Sequence, residues 1–347
     1  MAEKQPNIYD VAREAGVSIA TVSRALSGKT CSEASARRVR EAMERLGWQP
    51  ARGVSSTGEA PDVFAMVVSG LDHPYYADMV AGAEEAAREA GYALQVYVNG
   101  PGQQSEREEL LRRLLRQRLA GCLLVGSVIE AGATEEVRQL IGRLQEKLPL
   151  VTIGPLPEGL DCVNITSDLT VSVKKSLAYL VSLGHRRIAF IGGDPGERSP
   201  SIREHAFLQE MERLGLPCLY AQLSGRGFTP QAGELCVTRL YSGAAPESRP
   251  TAIIAINDLV AMGAMRQLRR MGLRIPEDVS IIGCDDQFFA TYLEPPLTTV
   301  DLHPREHGRS AVEELVAVCR GGARCSFSQI ERCSLTVRES CCEAASI

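Results

Sequence analysis

No stretch of the 347-residue chain approaches the ~18 consecutive apolar residues that would span a bilayer. The opening MAEKQPNIYDVAREAGVS also lacks the apolar core of a signal peptide, so a cytoplasmic, non-membrane protein is expected. The eleven cysteines include no CxxC pair, and none stands near a histidine at zinc-finger spacing. Reduced thiols used as small apolar residues fit this pattern, with a redox pair at Cys341 and Cys342 as the alternative. G-x-S-x-G, H-E-x-x-H and a complete glycine-rich nucleotide loop are absent, IGGDPG lacks dinucleotide spacing, and the five histidines are scattered. These absences argue against an enzyme, and neither a metal nor a cofactor is expected.

What is present begins with an uneven charge distribution. The chain carries a net charge of -5, but its first 58 residues hold more Lys and Arg than Asp and Glu, so a small basic head precedes an acidic body. That head contains SIATVSRALSGKT, ending in Gly28-Lys29-Thr30, the tripeptide that closes a phosphate-binding loop. The loop would need a glycine where Ser23 stands and a strand leading in. The lead-in instead has Val22, Ala25 and Leu26 on one helical face behind Ser18, a good N-cap. Ile8, Val11 and Ala15 line a helix before it, AGVS turns the chain, and Ala36, Val39, Met43 and Leu46 line a third helix closed by Gly47. Two helices joined by a tight glycine-containing turn and supported by a third make a helix-turn-helix over residues 1–50. A capping subdomain is the bland alternative, and the Thr/Ser/Arg-rich face of the second helix speaks against it.

Residues 51–62 read as a Gly/Ser/Pro-rich linker. Beyond it, apolar runs such as VFAMVV, LQVYV, GCLLVG, RIAFIGG and VSIIGCDD alternate with helical patterns, which implies parallel sheets covered on both faces. Residues 63–340 are too many for one typical doubly wound sheet, so two lobes with a cleft are expected. We place the first lobe at about 63–163 plus 290–325, the second at about 164–289 plus 326–338, and a tail at 341–347. In such sheets ligands bind beyond the carboxyl ends of the strands.

IYDVAREAGVSIATVSRALSGK, LGHRRIAFIGG, PTAIIAINDLVAMGAMRQLRRMGLRIPEDVSIIGCDD and LEPPLTTVDLHPREHGRSAVEEL, in this order, closely resemble the LacI/GalR bacterial transcription regulators over nearly the whole chain. The resemblance implies a helix-turn-helix head on a two-lobed core like that of periplasmic binding proteins. It also implies a homodimer on a near-palindromic operator in double-stranded DNA, and a small effector, such as a sugar or sugar derivative, in the cleft. With little chain beyond LTVRES for a tetramerising tail, a dimer is the expected assembly.

On the head, the family's base-reading positions fall on Ile19, Ala20 and Arg24. Arg24 is the one able to bond a guanine edge through two nitrogens. Tyr9, Ser18, Thr21, Ser23 and Ser27 fall at or beside phosphate-contacting positions, which orient the protein without reading sequence. In the hinge, Arg52 precedes Val54, the one apolar candidate for the minor-groove wedge where the family usually has Leu. Weaker bending or a non-standard hinge is expected. In the cleft, the resemblance assigns effector contacts to Tyr75, Ser199, Arg203, Phe228, Asn257 and Asp285. Asn257 could equally cap a helix, and Asp286 is expected to bond local backbone. Pro155 and Leu156 suggest a less polar wall. The competing functions are a regulator governed by a protein partner or by no ligand, and, further off, a solute-binding protein.

Overall fold

A computed structural model of the chain describes residues 8–18, 21–22, 32–46, 62–100, 104–126, 134–156, 160, 162–194, 198–221, 227–320 and 327–344. The chain forms two compact units, residues 1–62 and 63–347.

In the smaller unit, α1 (Ile8–Ala15) and α2 (Glu33–Leu46) flank a helical turn at Thr21 and Val22. Gly16, at φ +62, makes the tight turn after α1, where Val17 N–H returns to Ala12 O at 3.1 Å. Val11, Ala12, Ala15, Val22, Val39 and Ala42 form its small core, and Arg45 of α2 reaches Glu14 of α1 at 3.2 Å. A unit of about sixty residues buries little apolar surface, so the head has a thin stability margin.

The larger unit contains two six-stranded sheets. The first joins β1 (Val63–Val68), β2 (Ala93–Val98), β3 (Gly121–Val125), β4 (Leu150–Ile153), β5 (Val163–Ser167) and β11 (Ser328–Glu331), in the order β11-β5-β4-β3-β1-β2, all parallel. Its helices are α3 (Pro74–Ala90), α4 (Gln104–Arg116), α5 (Glu135–Lys147) and α10 (Pro304–Cys319). The second joins β6 (Ile188–Ile191), β7 (Cys218–Ala221), β8 (Ala252–Ala255), β9 (Ser280–Cys284), β10 (Thr298–Asp301) and β12 (Ser334–Thr336), in the order β12-β10-β9-β8-β6-β7, parallel except for β12. It carries α6 (Leu169–Ser182), α7 (Arg198–Arg213), α8 (Pro230–Tyr241) and α9 (Asp258–Arg270). Central strands such as VFAMVV and AIIA are apolar at nearly every position because both faces are covered.

The chain passes between sheets after β5, after β10 and between β11 and β12. All three lobe boundaries therefore differ from those read in the sequence, the first because residues 164–167 complete β5 in the first lobe. Residues 298–301 pair with β9 and lie in the second lobe, while 328–331 pair with β5 and lie in the first. Strand pairing decided this, and a four-residue strand carries no mark of its neighbour. Residues 341–344 of the segment expected as a tail are also integrated, directly after Ser340. Ser340 O accepts from Ile281 N–H at 2.8 Å, Ser340 Oγ accepts from Thr298 N–H at 2.8 Å, and Ala344 N–H reaches Leu183 O at 2.8 Å. Cys341 and Cys342 contact the carbonyls of Ile281 and Pro276, and burial raises the pKa of both thiols, Cys341 to about 11. No described helix is long and apolar enough to cross a membrane.

Between β9 and β10 the buried carboxylate of Asp258 accepts from Thr299 Oγ1 at 2.6 Å and Gln287 N–H at 2.7 Å. Burial raises its pKa to about 7 despite these bonds. A raised carboxyl holds its proton in the folded chain at pH values where the unfolded chain has lost it, so its contribution to stability falls as pH rises from about 4 to about 7. Asp258→Asn does not titrate. The stability it costs relative to wild type, measured by urea unfolding, is expected to shrink between pH 5 and pH 8.

Candidate functional site

The carboxyl ends of both sheets face one cavity of about 490 Å³. From the first lobe it receives the loop after β1 with the start of α3, and the ends of β3, β4 and β5. From the second come α7, the approach to α8, and the turns after β8 and β9. Tyr75, Ser199, Arg203, Phe228, Asn257 and Asp285, the six side chains expected in the cleft, all border it.

Arg203 is buried on α7, one helical turn beyond Ser199, so the two lie on one face. Its Nη1 donates to Ile256 O at 2.6 Å and its Nη2 to Ser199 Oγ at 2.8 Å, while its buried Nε has no partner. A buried N–H without an acceptor is costly unless something else supplies one. Asp285 follows β9 at φ +109, a strained backbone for a non-glycine residue, held by its own N–H to Val300 O at 2.7 Å. Burial, and then the nearby Asp258 carboxylate, push its proton affinity well above the usual carboxylate range, with Arg203 opposing. Burial likewise raises the Tyr75 phenol, so it remains a neutral hydroxyl.

Asn257 caps α9. Its Oδ1 accepts from Val260 N–H at 2.8 Å, while Nδ2 donates to Phe228 O at 3.1 Å and faces His73 Nε2 at 2.9 Å. The capping alternative raised for Asn257 is therefore the arrangement adopted. Asp286 does not bond local backbone as expected. It pairs with Arg338 at 2.6 Å and accepts from Thr336 Oγ1 at 3.0 Å, because β12 runs alongside β10 and brings both within reach. Pro155 borders the cavity; Leu156 is not among its lining residues.

Sequence reasoning missed His73, Tyr76 and His307, which also line the cavity. The Tyr75 and Tyr76 rings meet edge to face at 5.5 Å. Ser167 Oγ donates to Leu302 O at 3.0 Å, so His307 Nε2, 3.1 Å from the same oxygen, carries the proton and donates to it. Nδ1 is then an acceptor, and it is buried without a partner. Burial lowers the His307 pKa to about 4, keeping the ring neutral. DHPYY held the one available signal, a polar residue before proline at a helix start, where caps are common.

On the head, Ser18 starts the second helix as expected of a cap. Its Oγ accepts from Thr21 N–H at 3.1 Å and lies 2.9 Å from Thr21 Oγ1. Ile19, Ala20, Ser23, Arg24 and Ser27, and hinge residues Arg52 and Val54, lie outside the described residues, as does the side chain of Tyr9. Among the described residues no group of His, Cys, Asp and Glu forms a metal-binding cluster.

A small helical head, with two helices flanking a helical turn among its described residues, and a two-lobed core with a cavity between the lobes make up the architecture of a ligand-sensing regulator. Residues 7–51 match the model of bacterial regulatory proteins of the lacI family, and residues 177–341 match that of the periplasmic binding protein-like domain. The HTH-type transcriptional regulator DegA of Bacillus subtilis is 30% identical over 307 residues, 87% of this chain and 88% of its own. The HTH-type transcriptional repressor CytR of Escherichia coli is 29% identical over 342 residues, 97% of each chain. The structure of the transcriptional regulator CelR in complex with cellobiose superposes with a TM-score of 0.69 at 28% identity, covering 96% of this chain and 99% of CelR. The chain belongs to the lacI family of bacterial regulatory proteins.

Proposed function

We propose that the chain is a cytoplasmic transcriptional repressor, not an enzyme, that binds a near-palindromic operator as a homodimer. A small molecule in the interlobe cleft sets its operator affinity. The observation that carries the ligand assignment is the cavity itself, bordered by all six side chains expected there. CelR, of like fold, is described with cellobiose bound. Among the described lining residues Arg203 is the one permanent cation, with two of its five N–H groups donating to Ile256 O and Ser199 Oγ. Asp72 and Asp285 line the same space. Such a wall, with a single cation beside two carboxyl groups, suits an uncharged polyhydroxylated ligand, a sugar or a nucleoside, better than a phosphate ester or a sugar acid, which want several cationic donors.

The test is thermal unfolding of the full chain with D-ribose, cellobiose, inosine, cytidine, gluconate and a hexose phosphate. At 100 times its dissociation constant a ligand adds about 2.7 kcal/mol. A shift from a neutral compound, together with changed affinity for an operator selected from random duplexes, supports the proposal. A silent panel with DNA binding intact transfers control to a protein partner or removes it. The selected operator should hold two half-sites about one helical turn apart, bound with affinity that falls steeply with salt.

Phe288 and Tyr292, in the short 3-10 segment before β10, are 74% and 83% exposed, a large apolar display for a surface turn. They support a subunit interface on the second lobe. Phe288→Asp/Tyr292→Asp is expected to shift the sedimenting species from dimer to monomer, through loss of at least ~2 kcal/mol of association energy.

A further inference from the structure

His73 sits directly before α3, and its Nδ1 accepts the backbone N–H of Tyr75 at 3.3 Å. Burial keeps the ring neutral, with its pKa lowered to about 4. A neutral imidazole that accepts at Nδ1 carries its single proton on Nε2. That Nε2 lies 2.9 Å from Nδ2 of Asn257 in the other lobe. The Asn257 amide is oriented by two independent bonds, Oδ1 to Val260 N–H and Nδ2 to Phe228 O. Turning it over would set donor against donor and acceptor against acceptor. Two N–H groups from opposite lobes therefore converge at the cavity wall with no acceptor between them. Moving the proton to Nδ1 only transfers the conflict to Tyr75 N–H and uncaps α3.

We propose that this pair is the seat of an acceptor oxygen on the ligand, a hydroxyl or carbonyl that accepts from His73 Nε2–H and from Asn257 Nδ2–H. His73 is then a specificity-determining contact that joins the ligand to both lobes. An oxygen bonded to both nitrogens separates them beyond 2.9 Å, so the loaded cleft is wider at this edge than the ligand-free one. The inference rests on the cleft being the effector site, and it narrows the ligand to one presenting an oxygen acceptor beside the aromatic pair Tyr75 and Tyr76, whose rings flank His73 edge-on.

The experiment uses the full chain labelled with 15N-histidine, with the His73 signals assigned from His73→Asn. At pH 7 the His73 ring is expected to be protonated at Nε2 and unprotonated at Nδ1. Its Nε2 proton should move on saturation with whichever of D-ribose, cellobiose, inosine or cytidine stabilises the chain. Protonation at Nδ1 would make His73 a plain interlobe latch and overturn the seat. His73→Asn keeps a capping acceptor over α3 but removes the donor facing Asn257. It should bind the same compound about tenfold more weakly, with the ligand-free melting temperature unchanged or raised. Undiminished affinity, or a lowered ligand-free melting temperature with unchanged affinity, overturns the proposal. If none of the four compounds stabilises wild type, the effector site itself fails and the seat with it. If one stabilises wild type and variant equally, only the seat fails.

Discussion

Gly308→Ala is expected to lower the unfolding free energy of the core by about 3 kcal/mol, the upper part of the usual overpacking range. A Cβ on Gly308 would lie 1.9 Å from Met79 O and 2.9 Å from Ala83 N, both backbone atoms of α3. Reciprocally, a Cβ on Gly82 of α3 would lie 1.9 Å from Arg305 O of α10. No rotamer escapes a clash with backbone, so the helices must separate and loosen the packing of Met79, Ala83, Ala311 and Val312. Gly142, in α5, is the control. A Cβ there meets nothing within 4 Å, and Gly142→Ala should stabilise by about 0.5–1 kcal/mol through helix propensity and unfolded-chain entropy. Urea unfolding of the three proteins measures both effects. If Gly308→Ala matched wild type, the close crossing of α3 and α10 would be wrong. Because α3 begins at the cleft with Tyr75 and α10 carries His307, the variant should also weaken ligand binding.

Arg203→Ala should abolish the thermal shift given by the stabilising compound, a loss of affinity of at least ~100-fold, since it removes the one permanent cation among the described lining residues. The same change leaves Ile256 O without its side-chain donor, so the ligand-free protein should lose about 1–3 kcal/mol. Arg203→Lys should not restore binding. One ammonium cannot span Ile256 O and Ser199 Oγ while still presenting an N–H to the cavity. Calorimetry and thermal unfolding on the two variants separate the effects. Retained affinity in Arg203→Ala would place the ligand elsewhere.

Several of the residues these experiments address were legible in the sequence through the family resemblance, and their local setting agrees with it. Asn257 and Asp285 stand just after AIIA and SIIGC, where strand ends in a parallel sheet point to the ligand side. Arg203 and Ser199 stand four apart on a helix following IAFIGG. The head was equally readable, because Ser18 and the AGVS turn are positional signals independent of anything remote. His73 and His307 were not, since a histidine becomes a donor or an acceptor only through the partners that orient it. Those partners, Asn257 and Ser167, stand 184 and 140 residues away. The Asp286 bonds to Thr336 and Arg338, and the lobe boundaries at 298–301 and 328–331, were hidden for the same reason.

The sequence by itself determined the periodic elements, the head, the alternation of strands and helices, and the strand-end positions that line the cleft. Propensity, capping and apolar period act over a few residues and are written locally. Only the tertiary structure decided which strand crosses to which sheet, that 340–344 close the second lobe, and that α3 and α10 approach closely enough to exclude a Cβ. It alone brought two donors from opposite lobes to one point. Strand pairing, close packing and tautomer choice depend on groups far apart in sequence, and their energies exist only once the chain has folded.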